Sequence, residues 1–109
     1  MIVLTCVCTP HPGQEKESQE AARQLMEASA DHRGLLGYFW NLDEATGNLV
    51  LVEVHENEAS VLNHMALADV SRLLAAGTLA DIRLFGDPPS PTLLAKLAGF
   101  GEYALFPTL

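Results

Sequence analysis

With 109 residues, 49% of them hydrophobic and 18% charged, the chain has the composition of a folded globular protein, and its length allows one domain over 1–109 and no second one. Fourteen acidic against six basic side chains give a formal charge of −8, a field that repels phosphate backbones and anionic lipid, so nucleic acid and membrane surfaces are not expected partners. No apolar run approaches the roughly 20 residues that span a bilayer, and the opening MIVLTCVCTP has no basic stretch before its apolar one, so a cytoplasmic protein is expected.

Residues 2 to 8, IVLTCVC, are apolar on both faces and stop at the turn-forming Thr9-Pro10-His11-Pro12-Gly13, which predicts a central strand. From Gln14 to about Ala30 good helix formers carry a narrow stripe of Ala21, Ala22, Leu25, Met26 and Ser29, the pattern of a helix lying close to a sheet. His32-Arg33-Gly34 closes it. Leu35 to Leu42 and Leu49 to His55 read as strands, and the polar turn from Asp43 to Asn48 makes them an antiparallel hairpin. Asn57 is placed to cap a helix with Val61, Leu62, Met65 and Ala68 on one side; Asp69 caps a second piece, Val70 to Ala76, stopped by Gly77. Leu79 to Phe85 is the fourth strand, Ser90 caps a short helix bearing Leu93, Leu94, Leu97 and Phe100, and Glu102 to Phe106 is a last short strand. The order β-α-β-β-α-β with an added helix and strand is the ferredoxin-like α+β pattern on an antiparallel sheet.

Helices of this topology cover one face of the sheet, and here both faces are apolar. Ile2, Leu4, Cys6 and Cys8 alternate with Val3, Thr5 and Val7, and Leu49 and Leu51 alternate with Val50, Val52 and Val54. The simplest cover for the second face is a second copy about a two-fold axis, a homodimer whose sheets close into an α+β barrel, with the last strand available to extend the partner's sheet edge.

Cys6 and Cys8 are two apart in a strand, roughly 6.6 Å along the chain and beyond the spacing of a disulfide, so they are read as small buried hydrophobes in a reducing compartment. No His, Cys, Asp or Glu cluster has metal-ligand spacing, and neither a metal nor a cofactor is expected. No nucleophile–His–acid motif and no Gly-rich phosphate loop is present.

From Leu35 to His64 the chain combines a strand with aromatics, an acidic turn, Leu51-Val52-Glu53-Val54-His55-Glu56, then Glu58-Ala59-Ser60 and His64 on the next helix. In these residues it resembles the antibiotic-biosynthesis-monooxygenase superfamily of dimeric α+β barrels. The resemblance implies a small oxygenase that oxidises phenols, quinols or polyketide aromatics without metal or flavin. It singles out Glu53 and His64, with Trp40 and Asn41 as residue types seen in such pockets. Haem-degrading relatives place an Asn in the first strand, which this chain lacks, so haem is not expected.

Alternation puts Leu49, Leu51, Glu53 and His55 on one face of the third strand. The valine face suits the helices, which turns Glu53 into the barrel, where Arg83 of the fourth strand can meet it through Thr5. That pair is either an ion pair fixing the barrel or a polar handle for a substrate. His64 is either a helix-edge side chain bonding a strand end or a general base able to deprotonate a phenol near neutral pH. On the catalytic reading Asn41 is the polarising donor, Tyr38 or Trp40 stacks on the ring and His55 is a second candidate base. Asn41 and Trp40 point to opposite faces by the same alternation. His11 and His32 fall in turns and are read as solvated. Two main functions remain open: a cofactor-independent monooxygenase, or a non-catalytic dimeric barrel that binds a small hydrophobic ligand or serves as a stress-related scaffold; a decarboxylase- or isomerase-like enzyme is a third. Whether the protein is an enzyme is left open at this point.

Overall fold

Nine elements follow one another with short connections in the computed structural model, which describes residues 1–109. They are β1 (Ile2–Pro10), α1 (Glu15–Ser29), β2 (Leu35–Leu42), β3 (Leu49–His55), α2 (Glu58–Leu67), α3 (Ser71–Ala76), β4 (Gly77–Gly86), α4 (Pro91–Ala98) and β5 (Tyr103–Pro107). This is the expected α+β order. The five strands form one sheet in the order β2-β3-β1-β4-β5, antiparallel except at β4–β5. β5 runs parallel to its own β4 at the edge of the sheet, pairing Phe85 with Phe106 in a stacked contact at 4.8 Å.

Two caps predicted from sequence form as expected. Asn57 Oδ1 accepts from the Ser60 amide at 3.0 Å and Ser90 Oγ from the Leu93 amide at 3.3 Å, each satisfying a donor of a helix's first turn. At the other boundary, α3 runs straight into β4 with no loop. Gly77 starts the strand two residues before the predicted Leu79, pairing with Pro10, because β1 itself continues past Cys8. Only glycine fits there: an added Cβ would lie 2.7 Å from Cys8 Sγ and 2.8 Å from the Thr9 carbonyl.

The face the helices cover corrects the sequence reading. They lie on the side of Ile2, Leu4, Cys6, Cys8, Leu49, Leu51, Ile82 and Leu84, all buried, and Ala21, Ala22, Leu25, Val61, Leu73, Leu93 and Leu97 pack onto them. The valines at 3, 7, 50, 52 and 54 form the open face and remain half-buried. Alternation sorts side chains into two sets without saying which set the helices take. The longer leucine and isoleucine side chains fill the gap to the helices, whereas β-branched valines pack against their own neighbours across the strands.

Register then fixes the rows. On the helix side Tyr38, Glu53, Leu4 and Leu84 stand abreast, and so do Trp40, Leu51 and Cys6. On the open side Phe39, Val52, Thr5 and Arg83 form one row. A register shift between Thr5 and Val7, with Asp81 at a φ of 54°, puts a bulge into β4 beside these rows.

Candidate functional site

Glu53 and His55 are two apart in β3, so both side chains leave the sheet on the helix side. They are 5% and 0% exposed. His55 Nε2 lies 2.8 Å from Glu53 Oε1, and His55 Nδ1 lies 2.7 Å from the hydroxyl of Ser60 in the first turn of α2. Ser60, His55 and Glu53 thus form the nucleophile–base–acid type of array for which the sequence shows no motif. Neither Ser60 nor His55 lines the cavity that Glu53 and His64 share. With Ser60 donating to Nδ1 and Nε2–H donating to Glu53, the array orients the carboxylate.

His64, one helical turn after Ser60 and 4% exposed, brings its ring above the same carboxylate. Its Nε2 is 4.0 Å from Glu53 Oε2, too long for a hydrogen bond and short enough for one oxygen atom to reach both. Only Ser29 Oγ, among buried side-chain polar atoms, is both sealed and without a partner. His64 Nε2 and Glu53 Oε2, which bond nothing in the protein, therefore reach open space, and both residues line one cavity.

That cavity, about 110 Å³, lies between the sheet and the helices of one chain. Tyr38 and Trp40 form one wall; Leu73, Ile82, Leu97 and Phe100 form others. Trp40 Nε1 donates to the Tyr38 hydroxyl at 3.0 Å, which leaves the phenolic proton of Tyr38 free for a further acceptor. The Tyr38 ring packs on the His64 imidazole at 4.7 Å. Burial pushes the Tyr38 phenol well above its usual range, against the hydrogen bond from Trp40, so it stays a donor. Burial also holds His64 below its ordinary 6.5; the Glu53 carboxylate opposes this, and His32 and His55 add to it.

Of the seven candidates named from sequence, Tyr38, Trp40, Glu53 and His64 meet in the cavity, and His55 stands behind Glu53. Asn41 and Arg83 do not join them. Asn41 is exposed on the open face, its amide donating to the Phe39 and Val50 carbonyls at 3.3 and 3.2 Å. Arg83 also lies on the open face, opposite Thr5, with its Nε 2.9 Å from Asp81 Oδ1; the expected pairing with Glu53 fails because the two side chains leave opposite sides of the sheet. The pocket is accordingly inside one chain, not in an interior shared by two.

One residue read as solvated belongs to the cluster. His32 Nδ1 lies 2.8 Å from His64 Nδ1. The α1–β2 turn reaches α2 because Gly34, at a φ of 77°, presses where a Cβ would come within 2.8 Å of Ser60 Cβ, and its carbonyl accepts from the Glu56 amide at 2.9 Å. Gly34 is visible in the sequence as a helix stop, but nothing local ties His32 to a residue 32 positions away.

No group of three or more His, Cys, Asp or Glu side chains is arranged to hold a metal ion, and no helix is long and apolar enough to cross a membrane.

Comparison with known proteins gives fold and family. MupZ from Pseudomonas fluorescens superposes over 99% of this chain and 89% of its own, with a TM-score of 0.75 at 14% identity. SnoaB from Streptomyces nogalater, described as a cofactor-independent oxygenase, matches 83% of this chain and 95% of its own, with a TM-score of 0.68 and 14% identity. Rv0793 from Mycobacterium tuberculosis matches over 83% and 97% with a TM-score of 0.66 at 13% identity. No curated protein matches the sequence. Residues 1–76, which carry Tyr38, Trp40, Glu53 and His64, match the family model described as antibiotic biosynthesis monooxygenase, and the chain belongs to that family.

Proposed function

We propose that the protein is a cofactor-independent monooxygenase that oxidises a small phenol or quinol in the cavity between Glu53 and His64. The observation that carries this reading is the pair of unpartnered atoms, His64 Nε2 and Glu53 Oε2, 4.0 Å apart on the wall of an otherwise apolar, aromatic-lined space. A phenolic oxygen within hydrogen-bond reach of both gives its proton to the imidazole. The depressed pKa of His64 keeps the ring neutral and able to accept it near pH 7. Glu53 then stabilises the imidazolium, and the Tyr38 hydroxyl, in place of the expected Asn41, can donate to the oxygen that gathers charge.

The substrate supplies all the electrons. A phenolate passes an electron to O₂, a C–O bond forms at a ring carbon, and that carbon's proton is lost as the O–O bond breaks. One oxygen stays on the ring as a quinone carbonyl and the other leaves as water, so phenol plus O₂ gives quinone plus water. The apolar walls exclude bulk water from this sequence. At about 110 Å³ the cavity is smaller than the roughly 150 Å³ that encloses one benzene ring, which argues against a fused polycycle.

The open face, with Phe39, Val52 and Val54 among its apolar side chains, is the surface through which two copies would pair as a dimeric barrel. Sizing with light scattering tests it, and a monodisperse monomer at micromolar concentration would end that part of the reading. The activity is tested by oxygen uptake with a panel of monocyclic phenols and quinols. Uptake is expected with native protein and is expected to drop by about a hundredfold or more in His64→Ala. Equal uptake by the two would remove His64 from the chemistry. Tight binding of a phenol by a protein that consumes no oxygen would instead support the ligand-binding reading, which the dominance of apolar lining residues favours.

A further inference from the structure

The reading of His64 as a base leaves open how a buried imidazole is set in the correct tautomer and how its proton leaves. Two nitrogen atoms 2.8 Å apart, His32 Nδ1 and His64 Nδ1, share one proton: two bare nitrogens would face lone pair to lone pair, and two N–H groups cannot point at each other. We propose that His32 is the second half of the acid–base group, holding with His64 one proton between the two Nδ1 atoms whose transfer switches His64 Nε2 between acceptor and donor.

The two arrangements follow from the geometry. When the proton is on His64 Nδ1, its Nε2 is bare toward Glu53 and the cavity, and His32 carries its own proton on Nε2. When His64 Nε2 takes a substrate proton, the Nδ1 proton can cross to His32 Nδ1, and His32 releases its Nε2 proton to water. His64 is then neutral with Nε2–H facing the cavity, a donor for the oxygen that departs as water. Return of a proton to His32 Nε2 resets the pair, and no proton is gained or lost over a turnover.

The outer half of the path is open. His32 is half-buried, and its Nε2 has no partner in the protein, yet Ser29 Oγ is the only sealed and unpartnered side-chain atom, so His32 Nε2 meets solvent. The inner half is closed in by the groups that face His64: Glu53 and His55 from β3, Tyr38 from β2 and His32 from the α1–β2 turn. Of these only His32 bonds the ring directly. His32 touches no part of the cavity, so it acts through His64 as a positioning and proton-carrying residue.

The inference rests on the proposed function for its kinetic consequence but not for its structural one, and the experiment separates the two. Nitrogen-15 NMR of the imidazoles in the ligand-free protein reads the tautomer with no substrate present. Native protein and His32→Asn, whose side-chain carbonyl can take the place of Nδ1 as acceptor, are expected to hold the Nδ1–H form of His64. His32→Ala is expected to release it toward the Nε2–H form. Identical His64 nitrogen shifts in native protein and His32→Ala would overturn the shared proton. With a turning-over substrate, His32→Ala is expected to lose about tenfold or more in oxygen-uptake rate and to recover on addition of imidazole to the buffer, while His32→Asn stays slow because an amide carries no proton. Full activity in His32→Asn would overturn the proton-carrying role. Failure of native protein to consume oxygen with any phenol would sink the proposed function while the NMR result still decides the pair.

Discussion

His64 Nε2 and Glu53 Oε2 face each other across 4.0 Å at the wall of the cavity, each without a hydrogen bond of its own. The remaining nitrogen of His64 and the remaining oxygen of Glu53 are both engaged, by His32 and by His55. Each ring and carboxylate is therefore held from behind and left open in front, the arrangement that presents a base and its counter-charge to one small ligand. Glu53→Gln keeps the shape and an oxygen for His55 but removes the charge. Because the carboxylate raises the His64 pKa, its loss should move the acid limb of the pH–rate profile to lower pH and slow oxygen uptake by about tenfold or more. A pH profile with an unmoved limb would mean that Glu53 does not act on His64.

Tyr38 and Asn41 make opposing predictions although they are three residues apart in one strand. Tyr38 shares its row with Glu53, and Asn41 shares its row with Val50 on the open face. Tyr38→Phe removes the hydroxyl of the ring that packs on His64 at the cavity wall and should lower turnover by about tenfold to a hundredfold while raising little the amount of protein unfolded at 25 °C. Asn41→Ala should leave turnover within about twofold, since the amide bonds only strand carbonyls. Steady-state oxygen uptake on the two variants decides between them.

Stability should depend on pH through His64. Its folded pKa lies below the ordinary 6.5, so on acidification the unfolded chain takes up this proton first. The contribution is complete above about pH 6.5 and is lost as pH falls below that value, so the urea midpoint should drop on acidification below about pH 6.5. In His64→Gln this part of the slope should vanish. A midpoint that rose on acidification through the same window would contradict the buried, neutral histidine.

Much of this was legible in the chain, for reasons that particular residues make plain. The period of two in Leu49, Leu51, Glu53 and His55 put the carboxylate and its histidine on one face, and the caps Asn57 and Ser90 marked helix starts that form where expected. The same alternation separated Asn41 from Trp40. What alternation could not supply is the third dimension. Two apolar faces look alike in one strand, so alternation does not say which side the helices take, nor on which side Arg83 and the cavity lie. His32 carries no signal in the sequence because its bond to His64 depends on how closely Gly34 lets a turn approach α2, a packing relation with no local pattern.

The two cysteines should be chemically silent. Burial, with the nearby Glu53 carboxylate, pushes the Cys6 thiol up to about 12, and burial raises Cys8 as well, so neither is a thiolate at neutral pH. Their side chains pack into the helix-side core at 7% and 0% exposure. Titration of the native protein with a disulfide reagent at pH 8 should find no fast-reacting thiol, and both should react once the chain is unfolded in guanidinium. A fast-reacting thiol in the folded protein would mean that β1 opens at its centre.

The helix after β4 tests whether the segment beyond residue 76, where the family match ends, belongs to the same folding unit as the site. Leu93 is fully buried and Leu97 is 2% exposed, both within the one hydrophobic cluster that also holds Leu4, Leu51 and Leu73. Leu97 lines the cavity, whereas Leu93 does not. Truncating either removes packed methyl groups from a core with little freedom to collapse, so Leu93→Ala and Leu97→Ala should each cost about 2–5 kcal/mol in urea unfolding. They should differ in function. Leu93→Ala, measured well below its melting temperature, should retain its Michaelis constant, while Leu97→Ala widens the pocket and should raise the Michaelis constant for a monocyclic phenol and admit a larger ring. If both variants unfolded as native protein does, with one unchanged transition, α4 would be an appendage; a shared loss of stability with a divergent substrate preference places it in the core and in the wall of the site together.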